Sequence, residues 1–427
     1  MANDNKKYIP ALRFPEFQND REWALTPVGK YYKVQGGFAF KSSEFKKSGI
    51  PIIRISNIPN DGIHIDTNNC VYYNRIANGD NFHISKGDLL IAMSGATTGK
   101  TAIYNQDGEA YLNQRVGLFR SISKQNYYPF ICQWVKSDYF YSQLNRTLAA
   151  GAQPNISGKD IESFTWTYPI GDDSYCEQKK IADCLSSLDK YIDATKRKLE
   201  LLKEHKKGLM QKLFPVKDKT IPELRFSEFQ NDGEWKEYIL GQIFSRITEK
   251  NTSNNQNVLT ISAQYGLISQ YDYFNKNVAA LDVSKYYHVN KGDFAYNKSK
   301  SQGYPYGAIK ALKLYDQGVV SPIYICFRIK ENQNFSNVFL EYYFESELIH
   351  KEINSISQEG ARNHGLLNIS TEDFFAKINL YVPSLTEQLK IANTLSSIDR
   401  QVAKYNEKIK VLELHKQGLM QQLFPKL

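Results

Sequence analysis

The chain has 427 residues, of which 41% are hydrophobic and 23% charged, and carries a formal net charge of +9. That balance describes a globular protein with material for two or three cores and excludes a disordered or fibrous chain. The polar start MANDNKKYIP, and the absence of any run near the ~18 apolar residues of a membrane span, point to a cytoplasmic protein without membrane contact.

The five scattered cysteines (Cys70, Cys132, Cys176, Cys184 and Cys326) form no CxxC pair. Buried free thiols are therefore expected rather than disulfides or a zinc site. The seven histidines include no HExxH, so a metal enzyme is not indicated. The basic excess favours a polyanionic partner.

In chain order, the sequence divides into a short N-terminal segment (1–23), a globular interior (24–175), a heptad helix (176–215), a linker with a repeated segment (216–235), a second interior (236–385) and a second heptad helix (386–427). The division rests on an internal repeat at a spacing of about 210 residues. Pro10-Ala-Leu-Arg-Phe-Pro-Glu-Phe-Gln-Asn-Asp-Arg-Glu-Trp23 returns at Pro222–Trp235 with three of fourteen positions changed. The block Glu177–Pro215 returns at Glu387–Pro425 with 20 of 39 positions identical and no gap. Asn155-Ile-Ser157 is echoed by Asn368-Ile-Ser370. The interiors align poorly otherwise, apart from Lys86-Gly-Asp88 and Lys291-Gly-Asp293.

In the first helix Leu185, Leu188, Ile192, Thr195, Leu199, Leu202, Lys206, Leu209 and Leu213 step by three and four alternately, the period of a coiled-coil seam. Leu395, Ile398, Val402, Tyr405, Ile409, Leu412, Lys416, Leu419 and Leu423 repeat that stepping, so each seam is a natural mate for the other. Pro215 and Pro425 stop the helices. Lys206 and Lys416 interrupt the stripe at equivalent places, either to set register or to snorkel near a helix end. His205 and His415 read as helix-surface residues. Antiparallel pairing would carry the chain from one interior to the other and return residue 427 to the N-terminus. The expected fold is α+β: two mixed α/β globular domains separated by two long antiparallel coiled-coil helices, pseudo-two-fold and cyclic. A helix of ~30 residues would span ~45 Å, against ~34–36 Å for a turn of B-DNA, and could act as a ruler.

This arrangement resembles the specificity (S) subunits of type I restriction-modification systems over essentially the whole chain. The carriers are the Glu-Gln-x-x-Ile-Ala helix openings at 177 and 387, the Gly-Leu-Met-Gln-x-Leu-Phe-Pro closings at 208 and 418, and the Leu-Arg-Phe-x-Glu-Phe starts. Weaker carriers are the loops Gly37-Phe-Ala-Phe-Lys41, Ser94–Lys100 and Gly151–Ser157. The resemblance implies that each interior is a target-recognition domain reading one half of an asymmetric, interrupted DNA sequence. It also implies that the helices set the gap and dock two modification subunits, which bring S-adenosylmethionine and adenine-N6 methylation. Restriction subunits would add ATP- and Mg-dependent translocation and cleavage, and the S subunit itself would bind no cofactor and hold no catalytic centre.

The residues agree by what they lack. No Asn-Pro-Pro-Tyr-type element for gripping a flipped adenine is present. Gly95-Ala-Thr-Thr-Gly99-Lys100-Thr101 has three residues between its glycines where a P-loop needs four. Such a loop suits a sugar-phosphate backbone instead, which makes Ser94, Thr97, Thr98 and Lys100 candidate contacts. Their counterpart is Asn297, Lys298, Ser299, Lys300, Gln302 and Tyr304. Major-groove reading by Arg, Lys, Asn and Gln adds Lys41, Arg54, Asn57, Gln114, Arg115, Gln153 and Asn155 in the first domain, and Gln264, Arg362, Asn363 and His364 in the second. Asn155 and Asn368 could instead cap the turns into Ser157 and Ser370. Two other readings remain: a coiled-coil scaffold or inhibitor that occupies modification subunits without reading DNA, and an autonomous enzyme.

Overall fold

The computed structural model describes residues 7–59, 65, 67–76, 79–151, 154–216, 219–262, 266–274, 282–301, 303–331, 333–357 and 367–426. The chain forms two compact units, residues 1–196 with 407–427 and residues 197–406. Each long helix therefore gives its first half to one unit and its second half to the other.

In the first unit the strands are β1 (Ala24–Pro27), β2 (Tyr32–Gly36), β3 (Ile50–Ile53), β4 (Val71–Tyr73), β5 (His83–Ile84), β6 (Leu89–Ala92), β7 (Thr101–Ile103), β8 (Ala110–Leu112), β9 (Val116–Ser121) and β10 (Thr165–Tyr168). The helices are α1 (Tyr128–Trp134), α2 (Asp138–Ala149), α3 (Gly158–Ser163) and the first half of α4 (Ser174–Leu213). The sheet orders are β2-β9-β6-β7, β4-β3-β8-β5 and β1-β10.

The second unit runs β11 (Lys236–Ile239), α5 (Leu240–Ile243), β12 (Phe244–Arg246), β13 (Val258–Ser262), β14 (Gly266–Ser269), α6 (Gln270–Phe274), β15 (Tyr287–Asn290), β16 (Phe294–Asn297), β17 (Ala308–Ala311), β18 (Gln317–Val320) and β19 (Ile325–Ile329). It continues with α7 (Asn337–Glu345), α8 (Glu347–Ile356), α9 (Thr371–Lys377), β20 (Asn379–Val382) and α10 (Leu385–Leu423). Its sheets are β12-β19-β16-β17, β14-β13-β18-β15 and β11-β20. Strand for strand this is the order of the first unit, down to the parallel pairs β3·β8 and β13·β18. Two interiors with little common sequence thus share every strand neighbour.

The shared Lys-Gly-Asp tripeptides are turns into β6 and β16. Gly87 and Gly292 sit at φ 99° and 92°, where a side chain would be strained. Asp88 and Asp293 accept from the backbone N–H of Ser85 at 2.9 Å and of Asn290 at 2.8 Å. Side-chain closure of the turn leaves little freedom at these positions.

The larger repeated words form one clamp in each unit. Arg13 donates to both carboxylate oxygens of Glu177 (2.7 and 2.9 Å), and the Trp23 indole adds a third bond at 3.2 Å. Arg225 and Trp235 hold Glu387 in the same way, at 2.9, 2.7 and 3.4 Å. The next residues, Gln178 and Gln388, each accept the backbone N–H that opens a helix, from Tyr127 before α1 and Ser336 before α7, both at 3.0 Å. Phe424 packs edge-on against Trp23 in one core, and Phe214 against Trp235 in the other. The Leu12 N–H donates to Gln422 O at 3.0 Å, as Leu224 donates to Lys212 O at 2.9 Å. Leu12 and Gln422, close to the two ends of the described residues, therefore meet inside the first unit.

Helices α4 and α10 contain 40 and 39 residues, longer than the seam alone suggested. Their first turns carry Glu177, Gln178, Glu387 and Gln388, polar residues buried by the clamps and invisible to a count of apolar positions. Every seam residue is buried or half-buried, including Leu185, Ile192, Leu199, Leu395, Ile398 and Ile409 in the interior and Leu188, Leu202, Leu209, Val402, Leu412 and Leu419 at its margin. The halves pair antiparallel: Asp189 meets Lys416 and Lys196 meets Glu413 in the first unit, and Lys206 meets Asp399 at 2.7 Å in the second. Of the cysteines expected to be buried, Cys132 and Cys326 are, with burial pushing their thiols up to about 12. Cys70 is half-buried, while Cys176 and Cys184 lie exposed on α4, whose outer face needs no apolar packing.

Candidate nucleic-acid interface

The loop between β6 and β7 is built by its glycines. Gly95 and Gly99 take φ 83° and 82°, and a Cβ on Gly99 would lie 2.2 Å from Leu144 Cδ2. The loop folds back through bonds from Gly99 N–H to Ala92 O (2.8 Å) and from Ala92 N–H to Lys100 O (2.9 Å). Thr97 donates its hydroxyl to Ile55 O at 3.2 Å. Thr98 donates to Gly95 O and Pro154 O at 2.7 and 2.6 Å. Both hydroxyl protons are therefore engaged in holding the loop, and only oxygen lone pairs are left for another molecule.

Beside this loop lies an open groove of about 490 Å3, lined by Ser94, Gln114, Arg115 and Asn155 together with Met93, Gly95, Pro154 and Ile156. Backbone bonds place it: Met93 N–H donates to Arg115 O, and Ile156 N–H to Met93 O, each at 2.9 Å. Gln114 and Arg115 project exposed from the β8–β9 turn, and Ser94 bridges to Asn155. Four candidates from three separate stretches of sequence thus share one concave surface. Lys100 lies half-buried on the adjoining loop, and Lys41 is exposed and paired with Glu44 at 3.6 Å. Arg54 is half-buried, with Nη2 at 3.4 Å from Asn69 O.

Asn57 has to leave the contact set. It is 1% exposed, and its Oδ1 accepts the Arg54 N–H at 3.0 Å, closing a helical turn from inside. Sequence reasoning also passed over Phe38, which is 43% exposed and whose carbonyl accepts the Gln114 N–H at 3.0 Å. The signal was its neighbour: a Cβ on Gly37 would fall 1.9 Å from Leu112 O, so only glycine lets that chain approach.

In the second domain the segment after β16 occupies the equivalent place. Asn297 Oδ1 accepts the Ser299 N–H at 3.0 Å. Ser301 and Tyr304 exchange backbone bonds at 3.2 and 2.9 Å. Ser299 and Lys300 are exposed. The Lys298 ammonium donates to Ile369 O at 3.3 Å, and its carbonyl accepts the Leu367 N–H, so Lys298 ties the loop to the segment leading into α9. Tyr304 lies 5.5 Å from the Lys310 ammonium. Burial lowers the pKa of Lys310, but Glu345, 2.5 Å away, more than reverses this and keeps it charged. Ser157 and Ser370 cap α3 and α9 with their own hydroxyls, accepting from Asp160 and Asp373 N–H at 3.1 and 3.0 Å. The capping role considered for Asn155 and Asn368 belongs to these serines. Gln153, Gln264, Gln302, Arg362, Asn363 and His364 lie outside the described residues. Among the described residues no group of His, Cys, Asp and Glu could hold a metal, and no helix is long and apolar enough to cross a membrane.

The duplication with conserved strand order is matched by the family model for the type I restriction modification DNA specificity domain, which aligns twice, over residues 21–204 and 232–414. The chain belongs to that family. Within it, the chain is 26% identical over 200 residues to the type I restriction enzyme MjaVIII specificity subunit of Methanocaldococcus jannaschii, covering 46% of each. It is 30% identical over 199 residues to the StySPI specificity subunit of Salmonella potsdam, covering 44% of this chain and 41% of that one. These alignments span less than half of either specificity subunit. The S subunit of a type I restriction-modification system from M. genitalium has the same fold, with a TM-score of 0.57 at 15% identity over 98% of this chain and 99% of that one. A structure from work on complex assembly and conformational transition of the type I R-M system gives 0.52 at 15% identity, covering 94% and 97%.

Proposed function

We propose that this chain is the sequence-reading subunit of a type I restriction-modification complex. Each domain reads one half of a bipartite, asymmetric site in double-stranded DNA, and the paired helices set the spacer and dock two modification subunits. Methylation of adenine N6, with its S-adenosylmethionine, belongs to those subunits. ATP- and Mg-dependent cleavage belongs to restriction subunits that join them, and the chain contributes recognition without catalysis. The observation that carries this reading is the pairing of a repeated frame with divergent loops. Clamps, strand order and helix seams repeat, while the loop after β6 and its counterpart after β16 differ in sequence at one place in the fold. A duplicated scaffold presenting two unlike polar surfaces suits two unlike half-sites.

Methylation-aware sequencing of the host genome, with and without the gene, tests the proposal. An interrupted two-part motif carrying N6-methyladenine, lost on deletion, is expected. An uninterrupted palindrome, or methylation indifferent to the deletion, would overturn it.

A further inference from the structure

The last turns of α4 and the start of α8 enclose a groove of about 580 Å3 in the second unit. Its floor is apolar, supplied by Met210, Val216 and Leu348, of which Val216 is 48% exposed. Its rim is cationic: Lys203, Lys207, Lys212 and Lys351 line it, with Lys206 behind them, against only Glu223 and Glu345. Glu345 is taken by Lys310, and Lys206 by Asp399. Lys203 and Lys212 hold exposed pairs with Glu200 and Glu223, of a kind that opens at little cost. Among the described residues no carboxylate pairs with Lys207 or Lys351.

The first unit has a groove in the equivalent place, between the last turns of α10 and the start of α2, of about 290 Å3, where Met420 and Tyr139 supply the apolar surface. Its charge is different: Lys136, Asp138 and Lys426 line it, and Lys136 is paired with Asp189. The residues equivalent to Lys203, Lys207 and Lys212 are Glu413, Gln417 and Gln422, and counting from the caps Ser346 and Ser137 puts Ser142 where Lys351 stands. Four cations are replaced by one carboxylate, two amides and a hydroxyl. Folding does not require these four lysines, since the first unit builds the same corner without counterparts to them.

We propose that the groove of the second unit docks an acidic, amphipathic segment of a modification subunit, through a contact that the first unit does not reproduce. The inference rests on the docking role proposed above and adds the chemistry and place of one contact. The apolar floor rewards aliphatic or aromatic side chains, which a phosphodiester backbone lacks, and the uncompensated ammonium groups reward carboxylates around them. The two modification subunits would consequently be held unequally, with the contact at the second unit more sensitive to salt.

The test uses the full chain assembled with its modification subunit, comparing wild type with the double variant Lys207→Glu, Lys351→Glu. Both lysines are exposed, and an unchanged circular dichroism melt confirms the fold. Titration followed by sedimentation should show one of the two modification subunits binding about tenfold or more weakly, with a shallower dependence of affinity on salt. Lysine substitutions in an acidic segment of the modification subunit should restore binding to the double variant. Wild-type retention of both subunits by the variant would overturn the groove while leaving the docking role intact. Unchanged subunit affinity combined with weaker DNA binding by the assembled complex would overturn it in favour of DNA as occupant. Failure of the unaltered chain to retain any modification subunit would overturn the docking role and the groove together.

Discussion

A single carboxylate, Glu177, accepts two bonds from Arg13 and one from Trp23 while almost wholly removed from water. A buried charge persists only when its acceptor sites are filled. Glu177→Ala would strand the Arg13 guanidinium in the interior and should reduce unfolding free energy by about 3–5 kcal/mol. Urea unfolding checks this, and Glu387→Ala should give a loss of the same size in the second unit. These residues were conspicuous in the sequence because they repeat, but their pairing was not legible: Arg13 and Glu177 are 164 positions apart, and nothing local joins them. Asn57 and Gln114 looked alike as polar loop residues, and burial separates them. Gln114→Ala should leave stability within about 0.5 kcal/mol of wild type and reduce discrimination between bases by about 1–3 kcal/mol in competition binding. Asn57→Ala should instead lower the melting temperature without altering which sequence is preferred.

The helices were the most legible elements, because a step of three and four can satisfy only a helical seam. Lys206 and Lys416, ambiguous in sequence, each meet an aspartate of the opposite helix. Around Asp189, burial raises the carboxyl pKa, but Lys136 and Lys416 together outweigh it, leaving Asp189 below its ordinary value. Lys416 is less favoured, since burial and the nearby Lys136 draw its ammonium below the usual range despite Asp189. A carboxylate depressed in the folded state stabilises above its unfolded pKa, and that contribution is lost as pH falls through the folded value. The stability deficit of Asp189→Asn should therefore be full near neutrality and shrink below about pH 4, as followed by denaturant melts at several pH values. The loops were legible only as compositions. Their lysines remain the simplest probes: Lys100→Ala or Lys300→Ala should weaken DNA binding across sequences and lower the salt slope by about one. Unchanged affinity and slope in both would remove these loops from the contact surface.

At the scale of the whole chain, each unit is completed by the end of a helix that begins in the other. The final turn of α10 carries Phe424 onto Trp23 and Gln422 onto Leu12, so the N-terminal segment and the last helix are neighbours within the first unit. A chain whose ends were joined by a short flexible linker and reopened between Val216 and Lys219, two exposed residues, would keep every clamp. Such a permuted protein should melt within about 5 °C of the parent. A collapse in stability would mean that the segment at 216–219 holds more than it displays.

The sequence by itself determined the duplication, the heptad seams and the places where both helices stop, since all three follow from spacing along the chain and from chemistry local to a few residues. Tertiary structure decided which repeated residue grips which, that two dissimilar interiors share one strand order, and which polar loop residues face outward. Those outcomes depend on contacts between distant segments and on burial. A strand tolerates many apolar residues, and an Asn reads the same in sequence whether it faces water or closes a turn inside the core.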